Sequence, residues 1–162
     1  MAAIRCFQLN MHRAMAAASN LSDCMRDTGK GSHIAMLQEP YVVKGRVRGC
    51  VKGYTVVDMG TVKYPARAAV ILSRDLNAWP LTVLSDRDVA AAQIMVNGKN
   101  IVFASVYMPH DTQVHPSATL RKLVEYCEGY NTDLVIGTDA NSHHLLWGSS
   151  DCNDRGERLM EY

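Results

Sequence analysis

Leu134-Val-Ile-Gly-Thr-Asp-Ala-Asn141 and Ile34-Ala-Met-Leu-Gln-Glu39 are two apolar runs that each end in a carboxylate. Runs of four to eight apolar residues bounded by turn residues read as strands of a buried sheet. Pro40 follows Glu39, removing an amide donor and discouraging continuation of the strand. Each carboxylate therefore sits at a strand end. In a layered sheet protein such ends gather at one rim, where two carboxylates in a partly dry site repel unless one is protonated or a cation lies between them.

Working outward, residues 4–9 read as a first strand. Met15, Ala18, Leu21 and Met25 then recur at helical spacing until Gly29-Lys30-Gly31. Residues 33–38, 54–57 and 68–72 are further strands, and the Gly- and basic-rich residues 44–52 form a loop between the second and third. Asn97-Gly98 separates strands 90–96 and 101–108. This dipeptide readily takes the two positive φ values of a type I′ turn, so an antiparallel hairpin is expected. Leu120, Leu123, Val124 and Cys127 mark a second amphipathic helix closed by Gly129, followed by a short buried strand over 134–137. From Arg155 a last helix begins, with Leu159 and Met160 apolar and no terminating cap, as if the chain were cut inside an element. The order is that of layered α and β in one domain.

The composition bounds the function only loosely. With 162 residues, 48% hydrophobic and 20% charged, the chain can bury the core of one domain. A net charge of +1 supplies no global field toward nucleic acid. The N-terminus lacks the apolar core of a signal peptide and no stretch is long enough to span a membrane, so the expectation is an intracellular protein with no membrane partner. Cys6, Cys24, Cys50, Cys127 and Cys152 contain no CxxC pair, which points to reduced, mostly buried thiols rather than disulfides or structural zinc.

Further polar groups fall at the ends of other strands. Asn10 closes the first, Tyr107 closes the second hairpin strand, and Asn141 lies two residues beyond Asp139. Amides can bind a metal, a phosphate oxygen or a nucleophilic water, and a phenol can donate to a phosphate oxygen. Oxygen donors of this kind suit Mg²⁺, with Mn²⁺ as a substitute, better than zinc. Each residue also has an ordinary reading: a solvated strand-end Glu, an Asp-Ala-Asn turn, a packed Tyr.

Gln8-Leu-Asn10, Leu37-Gln-Glu39, Val106-Tyr-Met-Pro109 and Gly137-Thr-Asp-Ala-Asn141, in this order, resemble the motifs of the endonuclease/exonuclease/phosphatase superfamily, which includes apurinic endonucleases and deoxyribonuclease I. Thr138-Asp-Ala-Asn-Ser-His-His-Leu-Leu-Trp-Gly148 is similar to the endonuclease domain of insect-type non-LTR retrotransposons. The resemblance implies an α/β (α+β) fold, the four-layer sandwich of the deoxyribonuclease-I-like type, occupying residues 1–162. It also implies that the final strands and the closing Ser-Asp-His motif are missing. Its roles are Glu39 as principal metal ligand, Asn10 as a supporting ligand, Asp139 orienting or activating water, Asn141 holding that water or the phosphate, and Tyr107 contacting the phosphate. The implied cofactor is Mg²⁺ and the implied partner is DNA, with a reverse transcriptase domain in the same polyprotein and nuclear action. The activity expected is nicking of target DNA.

One departure is His12, which stands where apurinic endonucleases carry an Asp. His143 and His144 follow Asn141 too closely to replace the missing catalytic His. His144 and Trp147 are candidates for DNA contact, with Trp147 equally readable as a packing anchor. Arg46, Arg48 and Lys52 could face a phosphate backbone, and His110, Asp111 and His115 could suggest a metal, but solvated loops are the default for both sets. Two other functions fit the same residues: a phosphatase or lipid phosphodiesterase on this fold, and an inactive, truncated remnant that binds nucleic acid.

Overall fold

The computed structural model describes residues 3–27, 31–49, 53–111 and 116–162. Gly29, Lys30, Cys50, Lys52 and His115 therefore lie outside the described residues. Strand β1 (Ile4–Asn10) leads into helix α1 (Met15–Asp27) and returns in β2 (Ser32–Gln38), which pairs with β1 in parallel. Two short pieces, β3 (Val42–Val43), just before the expected loop, and β4 (Arg46–Val47), inside it, form a small hairpin. Strands β5 (Tyr54–Val57) and β6 (Ala68–Ser73) complete a sheet in the order β1-β2-β6-β5.

The second sheet is built from β7 (Trp79–Pro80), β8 (Val89–Val96), β9 (Lys99–Tyr107) and β10 (Asp133–Asp139), in the order β10-β9-β8-β7. At the β8–β9 turn, Asn97 has φ 52° and Gly98 φ 76°, the two left-handed residues expected of a type I′ turn. Helix α2 (Ala118–Gly129) crosses from β9 to β10, which then pair in parallel. Ser117 caps α2 by accepting from the Leu120 amide. Gly129 is the last helical residue, and the left-handed turn beyond it falls on Asn131, φ 48°. A short helix, α3 (Asp154–Glu161), is capped by the Asn153 side chain.

Three apolar clusters define four layers. Ala18, Leu21 and Met25 of α1 pack on Ala35, Leu37 and Ile71. Ile34, Met36, Val70 and Leu72 meet Ala90, Ala92, Ile94 and Phe103 between the two sheets. Val102, Ala104 and Val106 support Leu120, Leu123 and Cys127 of α2. Period-2 alternation explains this arrangement: successive residues of β2 and β6 serve opposite faces, so a strand buried on both sides must be apolar throughout. Burying these side chains contributes roughly 1.5–3 kcal/mol for each large aliphatic residue.

Two sequence expectations fail here. Strand β10 is longer than residues 134–137 and not buried: Val135 and Ile136 are 38% and 39% exposed because β10 is the outer strand of its sheet. β1 is likewise outermost, and Leu9 is exposed on it. Among the described cysteines, Cys6, Cys24 and Cys152 are exposed and Cys127 is buried, so burial is not the rule for these thiols. Among the described residues, no helix is long and apolar enough to cross a membrane.

Candidate active site

Parallel pairing of β1 with β2 and of β10 with β9 brings four strand ends to the same edge of the sandwich. The register aligns Asn10 with Gln38 and Asp139 with Tyr107. Across the two sheets, the Asn10 side-chain amide donates to Asp139 Oδ2 at 2.5 Å, and Asn10 Oδ1 accepts from the His12 amide at 2.9 Å. Asp139 Oδ1 accepts from the Asn141 amide at 3.2 Å, while the Asn141 side chain donates to the Met108 carbonyl at 3.0 Å. Asn10, Glu39, Tyr107, Asp139 and Asn141 thus occupy one rim, as the sequence places them.

Tyr107 is linked to the others electrostatically. Burial pushes its phenol above the ordinary range, the Glu39 and Asp139 charges push in the same direction, and a hydrogen bond with Asn141 opposes them. The hydroxyl therefore stays protonated and able to donate at neutral pH. Arg67 lies over the Tyr107 ring, 5.5 Å from its centroid, and is itself held by a bidentate pair with Asp88 at 2.5 and 2.6 Å. The Asp88 carbonyl accepts from the Tyr107 amide, so this pair also fixes the backbone beneath the phenol.

Below the rim runs a buried polar network. The Gln38 amide donates to Ser105 Oγ and to the Gly137 carbonyl, each at 2.9 Å, and accepts from Gln8 Nε2 at 2.6 Å. Ser105 Oγ donates to the Leu37 carbonyl at 2.7 Å. Gln38 and Ser105 are fully buried, and together these bonds join β1, β2, β9 and β10 one residue below Glu39. Arg155 of α3 performs a related task on the loops, donating to the carbonyls of Met108, Pro109 and Ala140 at 2.9–3.1 Å. Burial lowers its pKa, and the nearby Asp139 charge resists that.

Backbone strain concentrates here. His12, Arg13, Glu39 and Asn141 all have φ between 45° and 56° without being glycine, conformations that cost of order 1 kcal/mol each and persist where surrounding structure enforces them. Glu39 is clamped by its amide, which donates to the Arg67 carbonyl at 2.8 Å, and by its carbonyl, which accepts from the Arg13 amide at 2.7 Å. Its carboxylate, 18% exposed, faces the Arg13 guanidinium, with Nη2 at 3.4 Å, and the His12 imidazole, with Nδ1 at 3.8 Å.

This surrounding tests whether the residues suit a divalent ion. Among the described residues no three His, Cys, Asp or Glu side chains converge. The donor set is instead Glu39 with the Asn10 amide nearby, and such sparse oxygen coordination completed by water is the habit of Mg²⁺. A cationic guanidinium already stands beside the carboxylate. The fit is chemical.

Beside Asp139 and Asn141 opens a cavity of about 640 Å³, also lined by His143, Trp147 and Leu159. Its wall is the 141–153 loop, closed by the Asn153 side chain accepting from the His143 amide and the Asn153 amide donating to the His143 carbonyl. His143 Nδ1 pairs with Asp151 at 2.8 Å. His144 packs against Trp147 at a tilt of 37° with ring centroids 5.0 Å apart, and the indole N–H donates to the Ser142 carbonyl. Trp147 is 44% exposed, with the more exposed Leu145 and Leu146 beside it. The softer candidates disperse. Arg46 pairs with Asp58 at 2.8 Å, and Asp111 lies 3.9 Å from Arg67.

Arg13, Gln38, Arg67, Ser105 and Arg155 are site residues that the sequence reading did not single out. Their partners are distant in sequence, and only the Leu-Gln-Glu run hinted that Gln38 mattered.

Residues 101–162 match the model of the endonuclease-reverse transcriptase family. No curated protein matches the sequence. Among solved structures, the endonuclease domain of TRAS1, a telomere-specific non-LTR retrotransposon, superposes with a TM-score of 0.72 at 22% identity, over 98% of this chain and 67% of that one. An endonuclease/exonuclease/phosphatase family protein from Leptotrichia buccalis C-1013-b superposes with a TM-score of 0.51 at 11% identity, over 98% and 71%. The chain thus shares the fold of these two proteins, and its residues 101–162 are similar in sequence to the endonuclease-reverse transcriptase family.

Proposed function

We propose that the protein is a Mg²⁺-dependent endonuclease that hydrolyses DNA phosphodiester bonds, nicking target DNA for insertion of a retrotransposon whose reverse transcriptase lies in the same polyprotein. The observation that carries this reading is the convergence of Glu39 and Asp139, from two different sheets, with Asn10, Asn141 and Tyr107 around them. The endonuclease-reverse transcriptase match over the segment holding Tyr107, Asp139 and Asn141 supports it.

In this reading Glu39 and Asn10 hold the ion, which when bound supplies positive charge to the oxygens of the phosphate under attack. Asp139 is an acceptor for a water proton, its carboxylate oriented by Asn10 and by the Asn141 amide. The Tyr107 hydroxyl, kept protonated by burial and by two carboxylates, donates to a non-bridging phosphate oxygen. The 141–153 loop presents His144 and Trp147 to the DNA backbone and bases, and action on chromosomal targets places the protein in the nucleus.

The test compares three substrates: supercoiled plasmid, bis(p-nitrophenyl) phosphate and p-nitrophenyl phosphate, each with Mg²⁺ and with EDTA. Mg²⁺-dependent conversion of plasmid to open circles with little monoester hydrolysis supports the proposal. Monoester hydrolysis without nicking overturns it in favour of a phosphatase.

A further inference from the structure

We propose that Arg13 has two alternative partners: it is the counter-ion of Glu39 while no divalent ion is bound, and on metal binding it turns to the DNA phosphate. The inference rests on the endonuclease reading above and assigns Arg13 as a substrate-contacting residue of the same site.

The backbone holds Arg13 at the carboxylate independently of its side chain. Pairing between β1 and β2 continues past the end of β1, with the Met11 amide donating to the Gln38 carbonyl at 2.8 Å and the Arg13 amide to the Glu39 carbonyl at 2.7 Å. Between them His12 and Arg13 take consecutive left-handed conformations, and the Ala14 amide closes the turn on the Met11 carbonyl. Two adjacent non-glycine residues in this region are unfavourable, and the pairing with β2 enforces them. The result fixes the Arg13 Cα beside Glu39 whatever the guanidinium does.

The side chain, by contrast, is loosely held. It approaches Glu39 through Nη2 and Oε1 at 3.4 Å, and it is 62% exposed. Arg67 differs in both respects: it makes a bidentate pair with Asp88 at 2.5 and 2.6 Å and is 14% exposed. Arg155 is committed to three backbone carbonyls. Of these three arginines around the rim, Arg13 is the one able to exchange partners. A divalent ion outcompetes a monovalent guanidinium for one carboxylate because its charge is doubled and compact. The displaced guanidinium stays at the rim, and its planar fork suits the two oxygens of a phosphate.

The consequence is a pair of opposite effects from one substitution, which a purely structural residue would not produce. Arg13→Gln removes the competing cation, so Mn²⁺, titrated by the electron paramagnetic resonance of the free ion, binds about two- to fivefold more tightly. The same change removes a phosphate contact. A fluorescein-labelled duplex, followed by anisotropy in Ca²⁺, then binds about five- to tenfold more weakly, and the slope of log K against log salt falls by about one. Arg13→Lys restores the slope. Weaker or unchanged Mn²⁺ binding in Arg13→Gln, or an unchanged salt slope, overturns the proposal while leaving the endonuclease reading intact. Absence of Mn²⁺ binding to the unmutated protein overturns both.

Discussion

Gln38→Met tests the buried network beneath the site. Methionine matches glutamine in length and rotamer freedom, so the packing between sheets is nearly conserved and the loss is polar. Three hydrogen bonds disappear: those to Ser105 Oγ, to the Gly137 carbonyl and from Gln8. Each contributes about 0.5–1.5 kcal/mol net. Gln8 is exposed and regains its partner from water, whereas the Gly137 carbonyl lies in the dry interior. The expected destabilisation is therefore about 2–4 kcal/mol, a large share of the 5–15 kcal/mol typical of a domain. In urea unfolding this is a fall of roughly 1–2 M in the midpoint with an unchanged slope. Ser105→Ala alone is expected to cost about 1–2 kcal/mol, since its hydroxyl also donates to the Leu37 carbonyl. The double variant should fall short of the sum by at least about 0.5 kcal/mol, as expected of residues sharing one network. A loss below about 0.5 kcal/mol for Gln38→Met, or strict additivity with Ser105→Ala, refutes the view that this network fixes the two sheets in register.

Three further outcomes are expected. Gly156→Ala drives a Cβ into the His143 carbonyl, so the 141–153 loop must shift; the emission of Trp147 should change and stability fall by about 1–3 kcal/mol, measured by fluorescence-detected unfolding. Arg155→Lys keeps the charge but cannot span the Met108, Pro109 and Ala140 carbonyls, so the nicking rate should drop about tenfold with little change in DNA affinity. Tyr107 has a folded pKa raised above the ordinary value of about 10, by burial first and then by Glu39. The folded state thus binds that proton more tightly than the unfolded one, and the stability it adds is complete below the ordinary value and lost as pH rises through the raised one. Ultraviolet titration at 295 nm should show that Tyr107→Phe removes a late-titrating phenol, and an early-titrating one would contradict this.

Much of the fold was legible because short-range chemistry dictates it. Asn97-Gly98 announced its turn, the spacing of Ala18, Leu21 and Met25 announced α1, and Pro40 marked the strand end that carries Glu39. What failed depended on neighbours the sequence cannot supply. An apolar run such as Leu134-Val-Ile136 reads the same in a central strand and an outer one, and only the strand order shows that it is outer. The cysteines read as buried by residue type, yet Cys6 sits on the outer strand β1. At the site, the five rim residues were readable as polar groups at the ends of apolar runs. The residues that orient them were not, since Arg67–Asp88, Gln38–Ser105 and Arg155–Met108 are pairings across 21, 67 and 47 positions. The Arg13–Glu39 approach depends on two left-handed residues, neither of them glycine, that no turn signal marks.

The most direct measurement is the rate at which supercoiled plasmid becomes open circle in Mg²⁺, for the unmutated protein, Glu39→Gln and Asp139→Asn. Both substitutions keep side-chain volume and remove one negative charge from the rim. The account predicts metal-dependent nicking by the unmutated protein and a loss of about a hundredfold or more in each variant, with circular dichroism unchanged. Nicking that persists in Glu39→Gln, or that proceeds equally in EDTA, would contradict it.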